Sequence, residues 1–521
     1  MIEKNIIGFS ISNVGDSYTQ GFNPKTGQAL PGHFSNASYE EVNLAVEKST
    51  KAFETYRKFS GQQKATFLHA IADEIEHLGD LLIDRCCADS GLPNGRIIGE
   101  RGRTIGQLRM FANLISEGSW LEASIELADI EREPIPKPDI RRMLVPMGPV
   151  VVFAASNFPL AFSTAGGDTT SALAGGNPVI VKAHSAHPGT SALIGSAIMK
   201  AAQNCGMPDG VFSLLHGSGK VVGQSLISHS GVKAAGFTGS QKAGRILFDL
   251  ANKRSEPIPF FAEMGSVNPV LLLPTALNPN TVSMLSTSIT MGAGQFCTKP
   301  GLILTLESDL LEQFIIDLSE DLKEIVPGVM LTEKIWKAYY NDVISSLANQ
   351  EVTVEIDFED KKELNIAASM LVSVSGESFL KNPKLADEVF GPYSMVVKCK
   401  NTDQLNDVLS NLSGQLTGSV FGSEVEMLSF SLSIDQLEKK VGRLIFNGVP
   451  TGVEVCSSMQ HGGPYPASSD SRFTSVGTMA IKRFVRPVAF QSWPDSQLPD
   501  ELKNSNPLNI WRLINGERTK D

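Results

Sequence analysis

The segment around Cys297 is the part of this sequence that most favours covalent chemistry. It follows the run Gly292-Ala293-Gly294-Gln295-Phe296, whose glycines allow a ligand to approach the backbone closely. The stretch from Asn280 is predicted to be a helix directed at it. A thiolate is a strong nucleophile toward a carbonyl carbon, and its reactivity depends on a lowered thiol pKa or a nearby base. Most cysteines, however, are small buried apolar residues. The sequence leaves both roles open for Cys297.

Glu263 is the carboxylate most suited to work with such a nucleophile. It lies in Phe261-Ala262-Glu263-Met264-Gly265, 34 residues upstream of Cys297, at the predicted end of a strand. Burial there predicts a general base with a raised pKa that activates water. The alternative is a solvated loop residue, because carboxylates are rarely buried without a partner.

Asn157 follows a predicted buried strand, within Ala155-Ser156-Asn157-Phe158-Pro159. An amide at this place is able to donate to an oxyanion that develops during a reaction. The other interpretation is a turn residue before a rigid Phe-Pro pair.

A glycine-rich turn, Gly236-Phe237-Thr238-Gly239-Ser240-Gln241-Lys242-Ala243-Gly244, is predicted between a strand and a helix. Backbone N–H groups and the helix dipole at such a position favour a phosphate. The glycines do not follow the GxGxxG spacing, so a turn without a ligand remains open.

Strands and helices alternate around these residues. Buried strands are predicted at 150–154, 179–181, 211–215 and 232–237, with helices at 189–204 and 220–228 between them, after a helical region from Ser38 to about Gly118. A second region from 260 to 459 has strands at 267–273 and 442–446, and a late strand is predicted at 479–491. This alternation predicts an α/β protein with doubly wound parallel sheets.

Composition excludes several classes of function. The chain has 521 residues, which is enough for two or three lobes, and 42% of them are hydrophobic, as in a folded globular protein. Its formal charge of −11 disfavours binding to nucleic acid. No apolar run is predicted to span a membrane or to act as a secretion signal. The cysteines form no CxxC pair and no metal-ligand cluster, so we expect a reduced cytoplasmic protein with no metal site.

Taken together, these segments resemble the aldehyde dehydrogenase superfamily. The resemblance also includes Glu388-Val389-Phe390-Gly391-Pro392 and Asn177-Pro178-Val179-Ile180-Val181-Lys182, and it extends from about Ser38 to Arg486. It implies the fold of that family, with two Rossmann-like doubly wound lobes and a small β oligomerisation element. The implied reaction is the nicotinamide-dependent oxidation of an aldehyde to a carboxylic acid through a cysteine thioester.

The resemblance also implies roles for individual residues. Cys297 would attack the aldehyde, Asn157 and the Cys297 backbone N–H would hold the oxyanion, and Glu263 would activate the hydrolytic water. The cofactor would contact a set of matching positions: Lys182, Gly239, Ser240, Glu388 and Phe390.

One departure from the family pattern concerns the cofactor. NAD-preferring members usually have a glutamate three residues after the lysine, and this chain has Ser185 there. A carboxylate would repel a 2′-phosphate, whereas a hydroxyl leaves room for it. We therefore expect NADP to be preferred, with NAD possible. His184, His187 and Lys220 are weaker candidates for contacts with the phosphate.

A second departure concerns the substrate. The segments 182–191 and 453–466 resemble the branch that oxidises α-ketoglutaric semialdehyde (2,5-dioxopentanoate), which also contains an NADP-dependent fatty aldehyde dehydrogenase. A substrate carboxylate needs a cation, and Arg103 shares a helix face with Gln107. We expect Arg103 and Gln107 to bind this carboxylate, although a solvated surface arginine is the alternative. The expected apolar walls are Phe158, Phe162 and Phe296.

Three other functions remain as alternatives: a catalytically silent relative, a thiol esterase that needs no cofactor, and a CoA-acylating enzyme. The presence of Cys297, Glu263 and Asn157 together disfavours the first, and Glu263 disfavours the last.

The resemblance further implies a division into domains. We expect a cofactor domain at 1–124 and 144–260, a catalytic domain at 261–478, oligomerisation strands at 125–143 and 479–493, and a polar tail at 494–521. A homodimer or homotetramer is expected.

Overall fold

The structure is a computed structural model that describes residues 2–357 and 364–521. Its first large sheet, the N-terminal sheet, has seven strands. In spatial order they are Phe260–Glu263, Ala234–Thr238, Val150–Phe153, Val179–Lys182, Phe212–Leu215, Asn5–Ile7 and Ser10–Ser12. The first five are parallel, and the last two join antiparallel. The predicted doubly wound lobe is therefore present.

The strands of the N-terminal sheet are buried on both faces, which explains their continuous apolar sequences. Val150 and Val152 pack on one face, while Val151 and Phe153 pack on the other. Helices cover both faces: Tyr39–Tyr56, Gly61–His77, Gly79–Ser90, Asn94–Glu117, Gly167–Ala174, Pro188–Asn204, Gln224–Ser228 and Gln241–Lys253. Ser38, where the predicted helical region begins, caps the first of these helices, because its side chain and Glu41 form a capping box.

The C-terminal sheet also has seven strands. In spatial order they are Thr353–Val354, Met370–Ser375, Tyr393–Cys399, Leu302–Leu306, Val270–Leu272, Gln415–Phe421 and Val441–Phe446. All are parallel except Thr353–Val354. The α-helices of this region are Pro279–Thr290, Asp309–Glu324, Glu333–Leu347, Gly376–Lys381, Thr402–Asn411, Glu424–Ser429 and Ser431–Glu438.

A third sheet combines distant parts of the chain. Its five strands are, in order, Val485–Gln491, Ile140–Pro146, Ser124–Glu126, Arg512–Ile514 and Glu517–Thr519. Two small antiparallel pairs complete the strands, Tyr18–Thr19 with Phe34–Ser35 and Gly328–Val329 with Ile366–Ala367.

Two predictions about the C-terminal part were wrong. The predicted strand at 479–491 is divided, since Thr478–Phe484 is a 3-10 helix and only Val485–Gln491 is a strand. The reason is that Ala480, Ile481 and Phe484 are buried at helical spacing in the core of the N-terminal sheet.

The expected tail at 494–521 is also folded into the molecule. Two strands of the third sheet come from it, and Leu498, Leu502 and Ile510 pack against Ile125 and Met143. These apolar residues are few and irregularly spaced, so the sequence pattern alone gave no sign of their burial. Among the described residues, no helix has the length and apolar character needed to cross a bilayer.

Candidate active site

The carboxyl ends of the parallel strands in the N-terminal sheet bring the predicted residues to one edge. Lys182 and Glu263 are the last residues of their strands, whereas Asn157 and Ser240 follow shortly after theirs. This edge is where open α/β sheets bind ligands.

Cys297 reaches this edge through an unusual turn after the helix Pro279–Thr290. Gly292, Ala293 and Gly294 all have positive φ, at 59°, 56° and 66°. A Cβ on Gly294 would lie 2.2 Å from the backbone of Gly391, so the close approach requires a glycine. The turn redirects the chain, and the Asn268 side chain then donates a hydrogen bond to the Cys297 carbonyl at 2.8 Å.

The thiol of Cys297 lies beside a histidine that in turn contacts Glu263. The Cys297 Sγ is 3.7 Å from the His461 Nε2, and this Nε2 is 3.1 Å from the Glu263 Oε1. The Ser475 hydroxyl donates to the other carboxylate oxygen at 2.6 Å. We call Cys297, His461 and Glu263 the catalytic cluster. His461 and Glu263 are both buried, with 1% and 4% exposure.

The pKa of one residue in the catalytic cluster, Glu263, differs from the sequence-based expectation. Burial raises the pKa of the Cys297 thiol well above its ordinary value, and the charge of Glu263 adds to the increase. Burial also acts to raise the pKa of Glu263, but the His461 imidazole and the Ser475 hydroxyl stabilise its carboxylate more strongly. The pKa of Glu263 is therefore lowered, and the expected raised pKa was wrong. Glu263 stays ionised and ready to accept a proton.

Sequence reasoning did not identify His461 or Ser475 as members of the site. They are separated from Glu263 by 198 and 212 positions, so no local pattern connects them. The segment 453–466, which contains His461, departs from the usual family sequence, and that departure was the available signal.

Asn157 lies against the Cys297 loop. Its amide nitrogen donates to the Gln295 carbonyl at 3.0 Å. An amide NH₂ group carries two N–H donors, so this contact leaves a second one for a ligand.

Three phenylalanines form an apolar cluster next to the thiol. The ring of Phe158 is 5.3 Å from that of Phe162 and 5.1 Å from that of Phe296. The Phe162 ring is 6.1 Å from the His461 ring, which connects the apolar cluster to the catalytic cluster. Arg96, which sequence reasoning missed, lies 4.4 Å and 4.8 Å from the ring centres of Phe158 and Phe296. It is seven residues before Arg103 in one helix, a spacing that places both on one face.

Arg103 and Gln107 present buried donors that the protein leaves open. The Arg103 Nη1 donates to the Val453 carbonyl at 2.8 Å, and its guanidinium lies 5.7 Å from the Phe162 ring centre. Its Nε and Nη2, and the Gln107 Nε2, are buried and have no hydrogen-bond partner among residues 2–357 and 364–521. A buried donor without a partner is costly, so such a group points to a ligand.

Arg443 carries a second guanidinium near the thiol, but more of its nitrogens form hydrogen bonds within the protein. Both of its Nη atoms donate to backbone carbonyls, those of Gly452 and Pro450, at 2.7 Å and 2.6 Å. Its Nε alone is buried without a partner in the described part of the chain. Arg443 therefore lacks the two neighbouring donors that a carboxylate binds best.

Glu388 packs directly on Gly265, where a Cβ would lie 2.1 Å from the Glu388 Oε2. Burial raises its pKa to about 7, an effect that the nearby Lys299 opposes, and burial lowers the pKa of Lys299 to about 8. The Lys299 ammonium donates to the Val389 and Tyr393 carbonyls at 3.2 Å and 2.6 Å. Lys299, which sequence reasoning missed, thus fixes the segment that carries Glu388 and the half-buried Phe390.

The groups predicted to bind the cofactor lie farther along the same edge. Burial lowers the pKa of Lys182 to about 8, and Ser185 is exposed three residues later. Burial lowers the pKa of the neighbouring His184, and His187, Lys182 and Lys334 lower it further. The region is therefore basic. Gly239 and Ser240 are exposed at the start of the helix Gln241–Lys253, where the Ser240 side chain accepts from the Ala243 N–H.

Two of the weaker candidates for phosphate contacts, His187 and Lys220, differ in their exposure to solvent. His187 is 1% exposed, and its ring nitrogens lie 2.8 Å from the Ala155 carbonyl and 3.2 Å from the Ser191 hydroxyl. Both nitrogens are therefore engaged in the protein interior. Lys220 is exposed and lies in a π-helical turn at Gly219–Gly223.

Comparisons with known proteins agree with this arrangement. The aldehyde dehydrogenase family model matches residues 12–469. The protein named alpha-ketoglutaric semialdehyde dehydrogenase 2 from Azospirillum brasilense is 48% identical over 504 residues, which cover 96% of this chain and 96% of that protein. Alpha-ketoglutaric semialdehyde dehydrogenase from Acinetobacter baylyi is 46% identical over 493 residues, which cover 94% and 93%.

Solved structures agree at the level of the fold. Methylmalonate-semialdehyde dehydrogenase from Oceanimonas doudoroffii matches with a TM-score of 0.80 and 19% identity, over 94% of this chain and 98% of that chain. A Thermus 1-pyrroline-5-carboxylate dehydrogenase with bound NAD matches with a TM-score of 0.78 and 19% identity, over 94% and 92%. The predicted fold is confirmed.

Proposed function

Because this chain belongs to the aldehyde dehydrogenase family and is an NAD(P)-dependent aldehyde oxidoreductase, we propose that its substrate is α-ketoglutaric semialdehyde (2,5-dioxopentanoate). The product is 2-oxoglutarate. One observation carries the choice of substrate: the open guanidinium edge of Arg103 beside the catalytic cluster.

The substrate carboxylate would bind the Nε and Nη2 of Arg103. These two atoms form one edge of the planar guanidinium, and a carboxylate accepts from both at once. The charge of the bound carboxylate would be paired, which removes the large cost of burying it alone. Gln107 would add its open amide donor one helical turn away, to the carboxylate or to the neighbouring keto group. The apolar cluster of Phe158, Phe162 and Phe296 would enclose the carbon chain.

Cys297 would attack the aldehyde carbon to give a thiohemiacetal. Its thiol has to lose a proton first, since its pKa is raised, and His461 and Glu263 are the groups near enough to accept it. The second N–H of Asn157 and the Cys297 backbone N–H would stabilise the oxyanion.

Glu263 would then activate the water that hydrolyses the thioester. An ionised carboxylate is needed for this step, and the contacts from His461 and Ser475 keep Glu263 in that state. Positioned general bases contribute roughly 10²- to 10⁴-fold to rates. In this step His461 would position the Glu263 Oε1 through their 3.1 Å contact.

The residues of the sheet edge fit a nicotinamide dinucleotide. The start of the helix Gln241–Lys253, with Gly239 and Ser240, suits the pyrophosphate, and Glu388 with Phe390 suits the nicotinamide half. A nicotinamide held by these residues would supply the acceptor for the hydride that leaves the substrate carbon. Lys182 and Ser185 would hold the adenosine ribose.

We propose NADP as the preferred form. Ser185 brings no negative charge to this place, and Lys182 with Lys334 makes the surroundings of His184 basic, which suits a 2′-phosphate. An anion beside Lys182 would also raise its pKa from the present value of about 8, so phosphate binding and lysine protonation favour each other.

A medium-chain or fatty aldehyde is the second candidate substrate. The apolar cluster favours it, because Phe158, Phe162 and Phe296 offer no polar group to a ligand. The open donors of Arg103 and Gln107 disfavour it, since an alkyl chain would leave them unpaired.

A homodimer or homotetramer is proposed from the third sheet. Among the described strands, its outer strand Val485–Gln491 pairs only with Ile140–Pro146, so its other edge is available to a second copy. Light scattering of the purified protein checks this proposal, and a monomer at micromolar concentration contradicts it.

The substrate and cofactor are tested together by initial rates. A panel of 2,5-dioxopentanoate, succinic semialdehyde, glutaraldehyde and hexanal is measured with NADP and with NAD, following the absorbance of the reduced nicotinamide. We expect the highest kcat/KM with 2,5-dioxopentanoate and NADP. A higher value with hexanal overturns the substrate, and a higher value with NAD overturns the cofactor preference.

A further inference from the structure

We propose that the catalytic cluster of Cys297, His461 and Glu263 is also a binding site for zinc, and that zinc occupying it inhibits the enzyme. The three residues offer one sulfur, one nitrogen and one oxygen ligand, and these atoms lie within 4.8 Å of one another. Thiolate, imidazole and carboxylate are the ligands that zinc selects in proteins. The inference uses residues of the proposed reaction, but its deciding measurement, the absorption of bound Co²⁺, needs neither aldehyde nor cofactor.

Two of the three distances within the cluster are close to those of a tetrahedral zinc site. Zinc bonds of about 2.3 Å to sulfur and about 2.0–2.2 Å to nitrogen and oxygen place neighbouring ligand atoms about 3.4–3.6 Å apart. The Cys297 Sγ to His461 Nε2 distance is 3.7 Å, and the His461 Nε2 to Glu263 Oε1 distance is 3.1 Å. The third pair, the Cys297 Sγ and a Glu263 carboxylate oxygen, lies within 4.8 Å, so side-chain shifts would complete the zinc geometry.

The charges of the ligands suit a buried dication. The Cys297 thiolate and the Glu263 carboxylate together supply two negative charges, which neutralise Zn²⁺ without any further ion. A neutral complex avoids most of the cost of burying charge. Glu263 is already ionised, because its pKa is lowered by its neighbours.

Binding releases one proton. The Cys297 thiol loses its proton to solvent as the Zn–S bond forms. When the His461 Nε2 carries a hydrogen, that hydrogen moves to Nδ1, and Nε2 becomes the ligand. The His461 Nδ1 is free to take it, as it has no hydrogen-bond partner in the described part of the chain.

Residues around the cluster form hydrogen bonds with the proposed zinc ligands, as residues behind the ligands of known metal sites do. The Ser475 hydroxyl occupies the Glu263 Oε2 and leaves Oε1 directed at His461. The His461 backbone N–H donates to the Thr474 hydroxyl at 2.8 Å. Partners of this kind typically change metal affinity by about 10- to 100-fold.

Zinc at this site would inhibit by two routes at once. It would occupy the thiolate that attacks the aldehyde and the carboxylate that activates water. Three protein ligands leave the fourth position of the zinc to a water molecule.

The experiment is a titration of the full-length, metal-free protein with Co²⁺, followed by displacement with Zn²⁺. Co²⁺ bound by a thiolate in tetrahedral geometry gives a sulfur-to-metal charge-transfer band and strong visible absorption. We expect one Co²⁺ per chain, loss of the bands in C297S, and recovery of dehydrogenase activity when EDTA removes the metal.

Matched variants separate this site from the other thiols. H461Q and E263Q should each lower the affinity for Co²⁺ by more than the about 10- to 100-fold that we expect for S475A. C456S and C205S should bind as the wild type does. Retained binding of the nicotinamide dinucleotide shows that each variant is folded, and if one is not, the remaining variants of the cluster decide the matter. Absence of the charge-transfer band in the wild type, or a band that persists in C297S, overturns the proposal.

Discussion

The two ends of the site differ in how completely the protein satisfies its own polar groups. At the catalytic cluster, Glu263 is held by His461 and Ser475, and His461 also contacts the thiol, so only the His461 Nδ1 is buried there without a partner among the described residues. At the other end, the Arg103 Nε and Nη2 and the Gln107 amide are buried and have no partner among the described residues. The apolar cluster of phenylalanines lies between them.

From this difference we propose different tasks for the two ends. The catalytic cluster is organised before any ligand arrives, as groups that stabilise a transition state must be. The arginine end carries unpaired donors, and unpaired buried donors are satisfied only when a ligand brings acceptors. Substitutions at the first end should therefore affect the chemical step, while those at the second should affect which aldehyde is chosen.

The largest effect is expected from C297A. Removing the nucleophile should lower kcat by about 10⁶-fold, as for other covalent nucleophiles, while the Kd of NADP changes little. Stopped-flow rates and fluorescence titration of NADP measure the two quantities, with C456A as the matched control. Turnover near the wild-type level in C297A contradicts the role of the thiol.

E263Q should give a smaller but distinct defect. Without the carboxylate the thioester forms but is not hydrolysed, so steady-state turnover falls by about 10²- to 10⁴-fold. A rapid burst of one reduced nicotinamide per site should remain, and rapid-mixing absorbance measures it. Loss of the burst together with turnover would instead assign Glu263 to the attack step.

The same substitution should make the resting thiol more reactive. The Cys297 thiol pKa is raised by burial and by the charge of Glu263, so alkylation by iodoacetamide should rise with pH beyond the ordinary thiol range. Removing the charge in E263Q lowers that pKa, and the rate at pH 8 should increase about tenfold for each unit of change. Peptide mass spectrometry isolates Cys297 from Cys205 and Cys456. A slower alkylation in E263Q means that Glu263 acts on the thiol as a base.

The smallest effect is expected at the arginine end, from Q107L. Its amide contributes one neutral hydrogen bond to the substrate, which corresponds to about 0.5–1.5 kcal/mol, or roughly a 2- to 12-fold rise in KM for 2,5-dioxopentanoate. KM for hexanal should fall or stay constant, because the orphaned donor is removed. An equal rise for both aldehydes would show that Gln107 supports the helix rather than the substrate.

Much of this arrangement was predictable from short segments of sequence. The buried strand at Val150–Phe153 and the helix Pro279–Thr290 match the predictions within a few residues, because their apolar patterns are local. The Cys297 and Glu263 segments were identified for the same reason, since glycines and strand ends mark them.

The parts that sequence did not predict depend on long-range packing. His461 is separated from Cys297 by 164 positions, and only the folded chain brings the two together. The tail beyond Trp493 looked polar, yet its few apolar residues complete the core of the third sheet. The lowered pKa of Glu263 likewise follows from Ser475 and His461, which no local pattern joins to it.

The claim that Arg103 selects the substrate is tested most directly by R103A. Its kcat/KM for 2,5-dioxopentanoate is compared with that for hexanal, and R109A serves as the control. Arg109 lies on the same helix but is exposed and paired with Asp73 and Glu76. Hydrogen bonds to a charged group contribute about 1.5–3 kcal/mol. We therefore predict that R103A lowers kcat/KM for 2,5-dioxopentanoate by about 10- to 100-fold. In R103A the value for hexanal should change little, and in R109A neither value should change. Equal losses for both aldehydes in R103A would contradict the assignment.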